Sequence, residues 1–346
     1  MKILLSKKYP SDGGTIFIDK IADDFGAEVI SLSDISPMTY IYVCFLDSKL
    51  GKFISRLPFF EAVISTLIIQ LILLLDRRRI SDIINEDDIL LPSDKFFVLR
   101  IILKLTKKKV HFICLDLPWS YPNSQTNNNF IRSKTKEFLP KFSSIGACTL
   151  EMSRALGISG KKNIFINYSS FELYSRPLSC FSESQVFKLP KRPLKIVFAG
   201  NLRFRDAIQS LLNRLDDLKI IYELDIYSSA HFYDDRVANK GFLDASSLSL
   251  SLPSYDFGLV PMSFDKQDIE IVETSFPSKT FFYLAAGLPV LFEAPHYSSV
   301  AKTAKDYRFG TTVEELGTGS ELSFDIRAFK VIIDRQWSEY FNFLGR

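Results

Sequence analysis

Residues 276–290 read FPSKTFFYLAAGLPV and carry the most informative pattern in the chain. Pro277 is a residue that can open a helix and Gly287 is a typical helix stop, so the stretch predicts a helix followed by a strand. Lys279 would then lie in the first helical turn, where the helix dipole disfavours a cation. An anionic ligand close to Lys279 explains this placement, and a solvated lysine is the alternative.

The same alternation of short apolar strands and helices extends through the second half of the chain. Strands are predicted at 195–199, 222–227, 237–242, 257–261 and 289–292, and helices at 206–215, 245–252, 278–286 and 298–307. Gly200 and Asn201 follow the first of these strands, and a glycine there lets backbone N–H groups approach a phosphate. Arg203 and Arg205 come next and have the charge to neutralise a diphosphate. A plain strand–glycine–helix joint is the structural alternative.

The first half predicts another parallel sheet, because apolar runs again alternate with helices. Strands are expected at 2–6, 28–32, 40–45, 89–91 and 110–115, helices at 15–25, 58–75 and 96–105, and a long polar loop at 118–129. A proline-rich stretch between 175 and 193 marks a domain boundary. The fold class is therefore α/β, with one domain over 1–180, a second over 193–325, and a last helix in 326–346 that packs back on the first.

Composition and charge exclude several classes of function. The 346 residues include 43 Lys+Arg and 40 Asp+Glu, and a net charge of +3 is too small for a wholly basic, nucleic-acid-binding surface. The four cysteines and three histidines have no metal-ligand spacing, so neither a metal site nor a cofactor is predicted. The amino terminus lacks the apolar run of a signal peptide, which predicts a cytoplasmic location.

One segment has the composition to contact a membrane. Residues 58–75 are almost wholly apolar, but Glu61, Gln70 and a length below about 20 residues argue against a span. A buried helix of the first domain is the leading interpretation. The other is a helix that lies on a bilayer surface, because arginines at 77–79 and lysines at 104 and 107–109 supply positive charge.

The motifs of the second half resemble those of a known family. The string Pro-Ser-Lys-x-x-x-Tyr-Leu-Ala-Ala-Gly-x-Pro-Val at 277–290 is similar to the nucleotide-sugar-binding signature of GT-B glycosyltransferases, especially family-4-like enzymes. Together with FAGNL at 198–202, GFLD at 241–244 and FGLV at 257–260, it resembles bacterial galactofuranosyltransferase-like polysaccharide glycosyltransferases. The resemblance covers residues 193–310 well, whereas the first half matches only in general architecture.

This resemblance implies two Rossmann-like domains that face each other across a cleft, with a nucleotide-diphosphate sugar in the second, an acceptor on the first, and no required metal. The expected donor is a UDP-sugar, and the expected acceptor is a glycan or lipid-linked glycan of bacterial surface polysaccharide biosynthesis at the inner membrane. Carried over by position, Lys279 contacts the donor diphosphate and Gly200 makes room for it, assisted by Arg203 or Arg205. The other candidates on the donor side are Asn201, Ser278 and Tyr283, of which Tyr283 packs near the nucleotide or in the core.

One departure from the family bears on the mechanism. Family-4 enzymes usually carry two glutamates separated by seven residues, and Thr274 and Phe282 stand at those positions here. The stereochemical outcome is therefore open, with inversion preferred over retention. The missing glutamate also keeps open a catalytically inactive nucleotide-sugar-binding protein, and a nucleotide-sugar epimerase shares the same architecture.

An inverting transferase needs a general base for the acceptor hydroxyl. Asp116, after the strand predicted at 110–115, is the first candidate, and Asp12, in the loop after the first strand, is the second. For each carboxylate, capping of a turn is the structural alternative. Gly13 and Gly14 beside Asp12 would permit close approach of the donor or the acceptor.

Overall fold

The architecture is taken from a computed structural model, which describes residues 2–5, 27–31, 65–84, 87–93, 96–114, 117–119, 125–158, 164–166 and 171–343. Contacts within the chain divide it into two units, Met1–Ile166 and Asn167–Arg346. This division falls earlier in the sequence than the proline-rich stretch, so residues 171–193 group with the second unit. The domain limits expected from the sequence stay a prediction.

The first unit contains a sheet of six parallel strands in the order β2-β1-β3-β4-β5-β6. The strands are β1 (Lys2–Leu5), β2 (Glu28–Ser31), β3 (Ile89–Ser93), β4 (Val110–Cys114), β5 (Ser144–Ala147) and β6 (Ile164–Ile166). The described helices are α1 (Ser65–Leu75), α2 (Arg77–Ile84), α3 (Phe96–Leu105), α4 (Gln125–Phe138) and α5 (Leu150–Leu156). Every residue of β4 is buried, as expected for a parallel strand covered on both faces.

Several predictions for the first half fall outside the described residues, namely the helix at 15–25, the strand at 40–45 and the part of the helix at 58–75 that precedes Ser65. The predicted loop at 118–129 is wrong at its end, because α4 begins at Gln125. The asparagine-rich start of α4 has weak helix propensity. Ile131 is nevertheless buried and Phe138 packs against the core, so tertiary packing outweighs propensity here.

The second unit contains a sheet of six parallel strands in the order β10-β9-β8-β11-β12-β13. These strands are β8 (Leu194–Ala199), β9 (Tyr222–Tyr227), β10 (Val237–Gly241), β11 (Phe257–Pro261), β12 (Val290–Glu293) and β13 (Gly310–Thr312), and an antiparallel pair is formed by β7 (Gln185–Phe187) and β14 (Leu322–Phe324). The helices are α6 (Phe171–Tyr174), α7 (Arg205–Asp217), α8 (Ala245–Ser251), α9 (Ile269–Thr274), α10 (Ser278–Ala285), α11 (Ser299–Tyr307), α12 (Val313–Gly317) and α13 (Ile326–Phe343).

In the second unit, the direction in which successive strands are added to the sheet reverses once, at β8. From β8 the chain first builds outward to β9 and β10, and then returns to the other side of β8 with β11. In sheets of this kind, ligands bind outside the carboxyl ends of the strands where the order reverses. The end of β8 and the segment that follows β11 therefore mark the expected ligand position.

Helix α13 is anchored by aromatic side chains that are buried in the second unit. Phe329 lies 4.6 Å from Phe309 between ring centroids, and Trp337 lies 5.9 Å from Tyr174. The expectation that residues 326–346 pack on the first domain stays a prediction. Across the described segments of the chain, no helix combines the length and the apolar character needed to cross a bilayer.

Candidate functional site at the end of strand β8

The turn after β8 depends on glycine for its backbone conformation. Gly200 has a φ of +121°, which side-chain-bearing residues rarely adopt, and its N–H donates to the carbonyl oxygen of Tyr227 at 2.9 Å. Space is not the constraint, because a Cβ on Gly200 would lie 3.6 Å from Nζ of Lys279, an ordinary contact. The backbone at this turn is therefore fixed, and it lies directly beside a lysine ammonium group.

Lys279 is the second residue of α10 and reaches back to β8. Its Nζ lies 4.0 Å from the centroid of the Phe198 ring, a cation–π contact. The residue as a whole is half-buried, but protein surrounds the ammonium group, and this burial lowers the pKa of Lys279 to about 7. Among the residues that the structure describes, no carboxylate forms an ion pair with Lys279. A buried cation without a counter-charge is the arrangement that an anionic ligand would complete.

The amino terminus of α10 adds polar groups to the same place. Pro277 precedes the helix and provides no side-chain cap. The N–H of Thr280 donates to the carbonyl oxygen of Pro277 at 2.9 Å, which leaves the amides of Ser278 and Lys279 for another acceptor. The hydroxyl of Thr280 is buried and has no hydrogen-bond partner within the described part of the chain. The free amides and the positive end of the helix dipole favour a phosphate, whereas the Thr280 hydroxyl is enclosed by protein.

Tyr283 holds α10 against the sheet. Its ring is fully buried against Gly258, where a Cβ would come within 2.3 Å of the ring, and its hydroxyl accepts a hydrogen bond from the N–H of Ala199 at 2.8 Å. Burial raises the pKa of the Tyr283 hydroxyl, which therefore stays protonated. Of the two positions that the sequence left open for Tyr283, the structure places it in the core, where it positions the end of β8.

The two arginines predicted to help bind the diphosphate lie near the turn after β8, but each already contacts another group of the protein. Arg205, the first residue of α7, donates to the carbonyl oxygen of His231 at 2.8 Å. Arg203 is exposed and lies 4.0 Å from Asp268. Such a long, exposed ion pair is weak, so Arg203 can turn toward a ligand at little cost. Asn201 and Ser278 are exposed in the same two segments.

The remaining predicted site residues, Asp12, Gly13, Gly14 and Asp116, lie outside the described residues and stay predictions. Asp116 follows β4 by two positions in the sequence. Among the described residues, no group of three or more histidine, cysteine, aspartate or glutamate side chains is arranged to hold a metal ion.

The structure shows what occupies the positions of the missing glutamates. The hydroxyl of Thr274 donates to the carbonyl oxygen of Glu270 within α9 at 2.7 Å, and Phe282 is half-buried. Neither residue supplies a carboxylate. A carboxylate that the sequence did not single out, Glu293, is fully buried at the end of β12, where it accepts hydrogen bonds from Arg214 and Ser210, each at 2.8 Å. Glu293 is thus already paired with a cation.

Two further positioning residues were missed from the sequence. Phe198 was named only as part of a strand and of the FAGNL motif and was given no role, although its ring contacts the Lys279 ammonium group. Gly258 carried a usable signal, because a glycine inside a buried strand often marks close approach by another group. That group is the Tyr283 ring.

Comparison with known proteins gives a family for part of the second unit. Residues 196–323 match the family described as Glucosyltransferase 3-like, C-terminal domain. No curated protein sequence matches the chain.

One solved structure shares the fold at low sequence identity, and others superimpose less closely. A UDP-forming α,α-trehalose-phosphate synthase from Burkholderia vietnamiensis superimposes with a TM-score of 0.52 at 9% identity, covering 99% of this chain and 95% of the synthase. TarM gives a TM-score of 0.45 at 11% identity, covering 76% of this chain, which spans about half (53%) of TarM. SsfS6 from Streptomyces sp. SF2575, complexed with thymidine diphosphate, gives a TM-score of 0.44 at 11% identity, covering 98% of this chain and 96% of SsfS6. Residues 196–323 thus match the model of the Glucosyltransferase 3-like C-terminal domains, and the chain shares the GT-B fold with the synthase.

Proposed function

We propose that this protein transfers a sugar from a nucleotide-diphosphate donor to a glycan or lipid-linked acceptor in bacterial surface polysaccharide biosynthesis. One observation carries the proposal: the Lys279 ammonium group lies beside Gly200, where the strand order reverses, without a carboxylate partner among the described residues. A donor diphosphate supplies the negative charge that this position lacks. UDP is the preferred nucleotide, which the UDP-forming synthase of similar fold supports.

The donor side of the reaction is electrostatic. When the bond between the anomeric carbon and the diphosphate oxygen breaks, negative charge accumulates on the leaving diphosphate. Lys279 and the amides of the first turn of α10 would stabilise this charge, and Arg203 or Arg205 would assist. Tyr283 would keep these groups in register with the end of β8 through its hydrogen bond to Ala199. The chain's own cations thereby allow a metal-independent reaction, as proposed here.

The acceptor side requires a base. In the inverting reaction that we propose, the acceptor oxygen bonds to the anomeric carbon as the diphosphate leaves with the bonding electrons, and the hydroxyl proton passes to a carboxylate. Asp116 is the preferred base and Asp12 the second candidate, with Gly13 and Gly14 giving space beside it. A lipid-linked acceptor would bring the protein, from the cytoplasm, to the inner membrane as a peripheral protein.

Calorimetric titration with a panel of nucleotide sugars tests the donor site. Lys279→Ala should weaken binding of the preferred donor about 10- to 100-fold, the usual range for a lost charged hydrogen bond. The matched control is Lys302→Ala, because Lys302 is exposed on α11 of the same unit, and this change should leave affinity unaltered. Unchanged affinity in Lys279→Ala for every donor tested would contradict the proposal.

Activity measurements separate the alternative functions. Transfer or donor hydrolysis by the wild-type protein that is abolished by Asp116→Asn would reject a protein that only binds nucleotide sugars. Conversion of one nucleotide sugar into another without an acceptor would indicate an epimerase instead. Donor binding with no transfer, hydrolysis or interconversion would leave the binding protein as the function.

A further inference from the structure

Helix α1 exposes leucines as well as one described polar residue, Gln70. Ile69 and Ile72 are fully buried in the core of the first unit, as expected for the inner face of a packed helix. The opposite ridge consists of Leu67, Leu71 and Leu75, which are 65%, 42% and 59% exposed. A surface helix of a globular protein normally carries polar residues on that face, so the leucine ridge calls for a partner.

Arginines follow the leucine ridge directly in the sequence. The N–H of Asp76 donates to the carbonyl oxygen of Ile72 at 2.9 Å and the N–H of Ile80 donates to that of Asp76 at 3.0 Å, so the helical path continues from α1 into α2. Arg78 follows Leu75 by three positions, is exposed, and is the middle of three consecutive arginines. The exposed leucines are thus followed by an exposed arginine, Arg78, on the next helix.

A second basic segment lies on the neighbouring helix. Helix α3 packs against both α1 and α2, and the exposed lysines at its carboxyl end are Lys104, Lys107, Lys108 and Lys109. Asp82 and Asp87 are also exposed in this region and Asp76 is half-buried, but the exposed cations outnumber them. Leucines that face outward beside clustered Arg and Lys match the boundary between lipid headgroups and acyl chains.

We propose that the ridge of Leu67, Leu71 and Leu75, together with Arg78, docks this protein on the surface of an anionic bilayer. The leucines enter the boundary of the acyl chains, and Arg78 contacts lipid phosphates. The described part of α1, 11 residues long, is too short to cross a bilayer, and we place it along the bilayer surface. This inference rests on the peripheral membrane contact included in the proposed function and specifies the surface that makes it.

Vesicle flotation with the full chain tests the docking surface. Wild-type protein should bind vesicles of phosphatidylcholine with phosphatidylglycerol at least about tenfold more tightly than vesicles of phosphatidylcholine alone. The variant Leu67→Ser/Leu71→Ser/Leu75→Ser should lose at least about tenfold in binding to the anionic vesicles. An arginine variant, R77Q/R78Q/R79Q, should reduce the preference for anionic vesicles without altering the apolar ridge.

The matched control removes three exposed apolar residues from the second unit. Val186, Ile221 and Leu250 are 64%, 71% and 86% exposed, and changing all three to serine should leave vesicle binding unaltered. Lys279→Ala should also leave it unaltered, which separates failure of this inference from failure of the donor site. The proposal is overturned if the wild-type protein ignores anionic vesicles or if the leucine variant binds them equally well. It is also overturned if the leucine variant abolishes a wild-type dimer, because a second copy would then cover the ridge.

Discussion

Raising the pH from 7 to 9 should weaken the binding of a nucleotide-diphosphate sugar, because Lys279 loses its charge over this range. Burial lowers the pKa of Lys279 to about 7, whereas an unperturbed lysine titrates near pH 10.4. The donor favours the ammonium form, so binding at high pH requires uptake of a proton. The diphosphate carries no group that titrates in this range. The imide N3–H of uracil begins to ionise at the upper end of the range, and this contribution is the same for the wild type and a variant without the lysine.

The size of the effect follows from the fraction of protonated lysine. With a pKa of about 7, roughly half of the ligand-free protein carries the ammonium at pH 7, about one molecule in eleven at pH 8, and about one in a hundred at pH 9. Apparent affinity should therefore fall about fivefold from pH 7 to 8 and about tenfold from pH 8 to 9. Calorimetry at pH 8 in buffers of different ionisation enthalpy should register uptake of nearly one proton.

Lys279→Met provides the control, because methionine keeps much of the side-chain volume and cannot titrate. This variant should bind weakly at every pH and should show no decline comparable to that of the wild type between pH 7 and 9. Equal pH dependence in wild type and Lys279→Met, or flat affinity in the wild type, would refute the reasoning.

The same titration predicts the pH dependence of stability without any donor. Between about pH 7 and 10, the unfolded chain keeps the lysine proton that the folded chain has released. The free energy of unfolding of the wild type should therefore rise with pH in this window, relative to Lys279→Met. Urea unfolding of both proteins at pH 7 and 9 measures the difference.

Three further substitutions probe how the second unit holds the site. Gly258→Ala should destabilise the protein by at least about 1–3 kcal/mol, because the added Cβ overlaps the Tyr283 ring, and a lower melting temperature would show it. Tyr283→Phe should cost about 1–3 kcal/mol in urea unfolding, since the buried N–H of Ala199 loses its acceptor; an unchanged stability would mean that water replaces the hydroxyl. Glu293→Gln should cost about 1–3 kcal/mol, because Arg214 loses a charged acceptor but is 30% exposed and keeps its ion pair with Glu314, and denaturant titration at neutral pH would detect it.

The sequence predicted the strands of the second unit well because their apolar runs are continuous. The strand at 257–261 matches β11 residue for residue, and the helix stop at Gly287 is confirmed by its φ of +74°. The pair β7 and β14 was missed, since each has three residues and its partner lies more than a hundred positions away. Pairing between such distant short segments leaves no local pattern.

At the candidate site, the sequence brought Gly200 and Lys279 together through a family resemblance, and the structure shows them side by side. It did not reveal the contact of Lys279 with Phe198 or the support of Tyr283 by Gly258, because these depend on how β8, β11 and α10 stack. Residue type fixes what a group can do, whereas the packing of distant segments fixes what it touches.

Lys279 and Tyr283 are one helical turn apart on α10, and Tyr283 is locked to the backbone of β8 and β11. The position of the Lys279 ammonium group therefore depends on the pairing of two central strands and not on the conformation of a surface loop. Loops around the site can diverge to suit other sugars without displacing that charge. Hydrogen exchange should accordingly find the Ala199 amide among the slowest to exchange in the protein, even when no nucleotide is present.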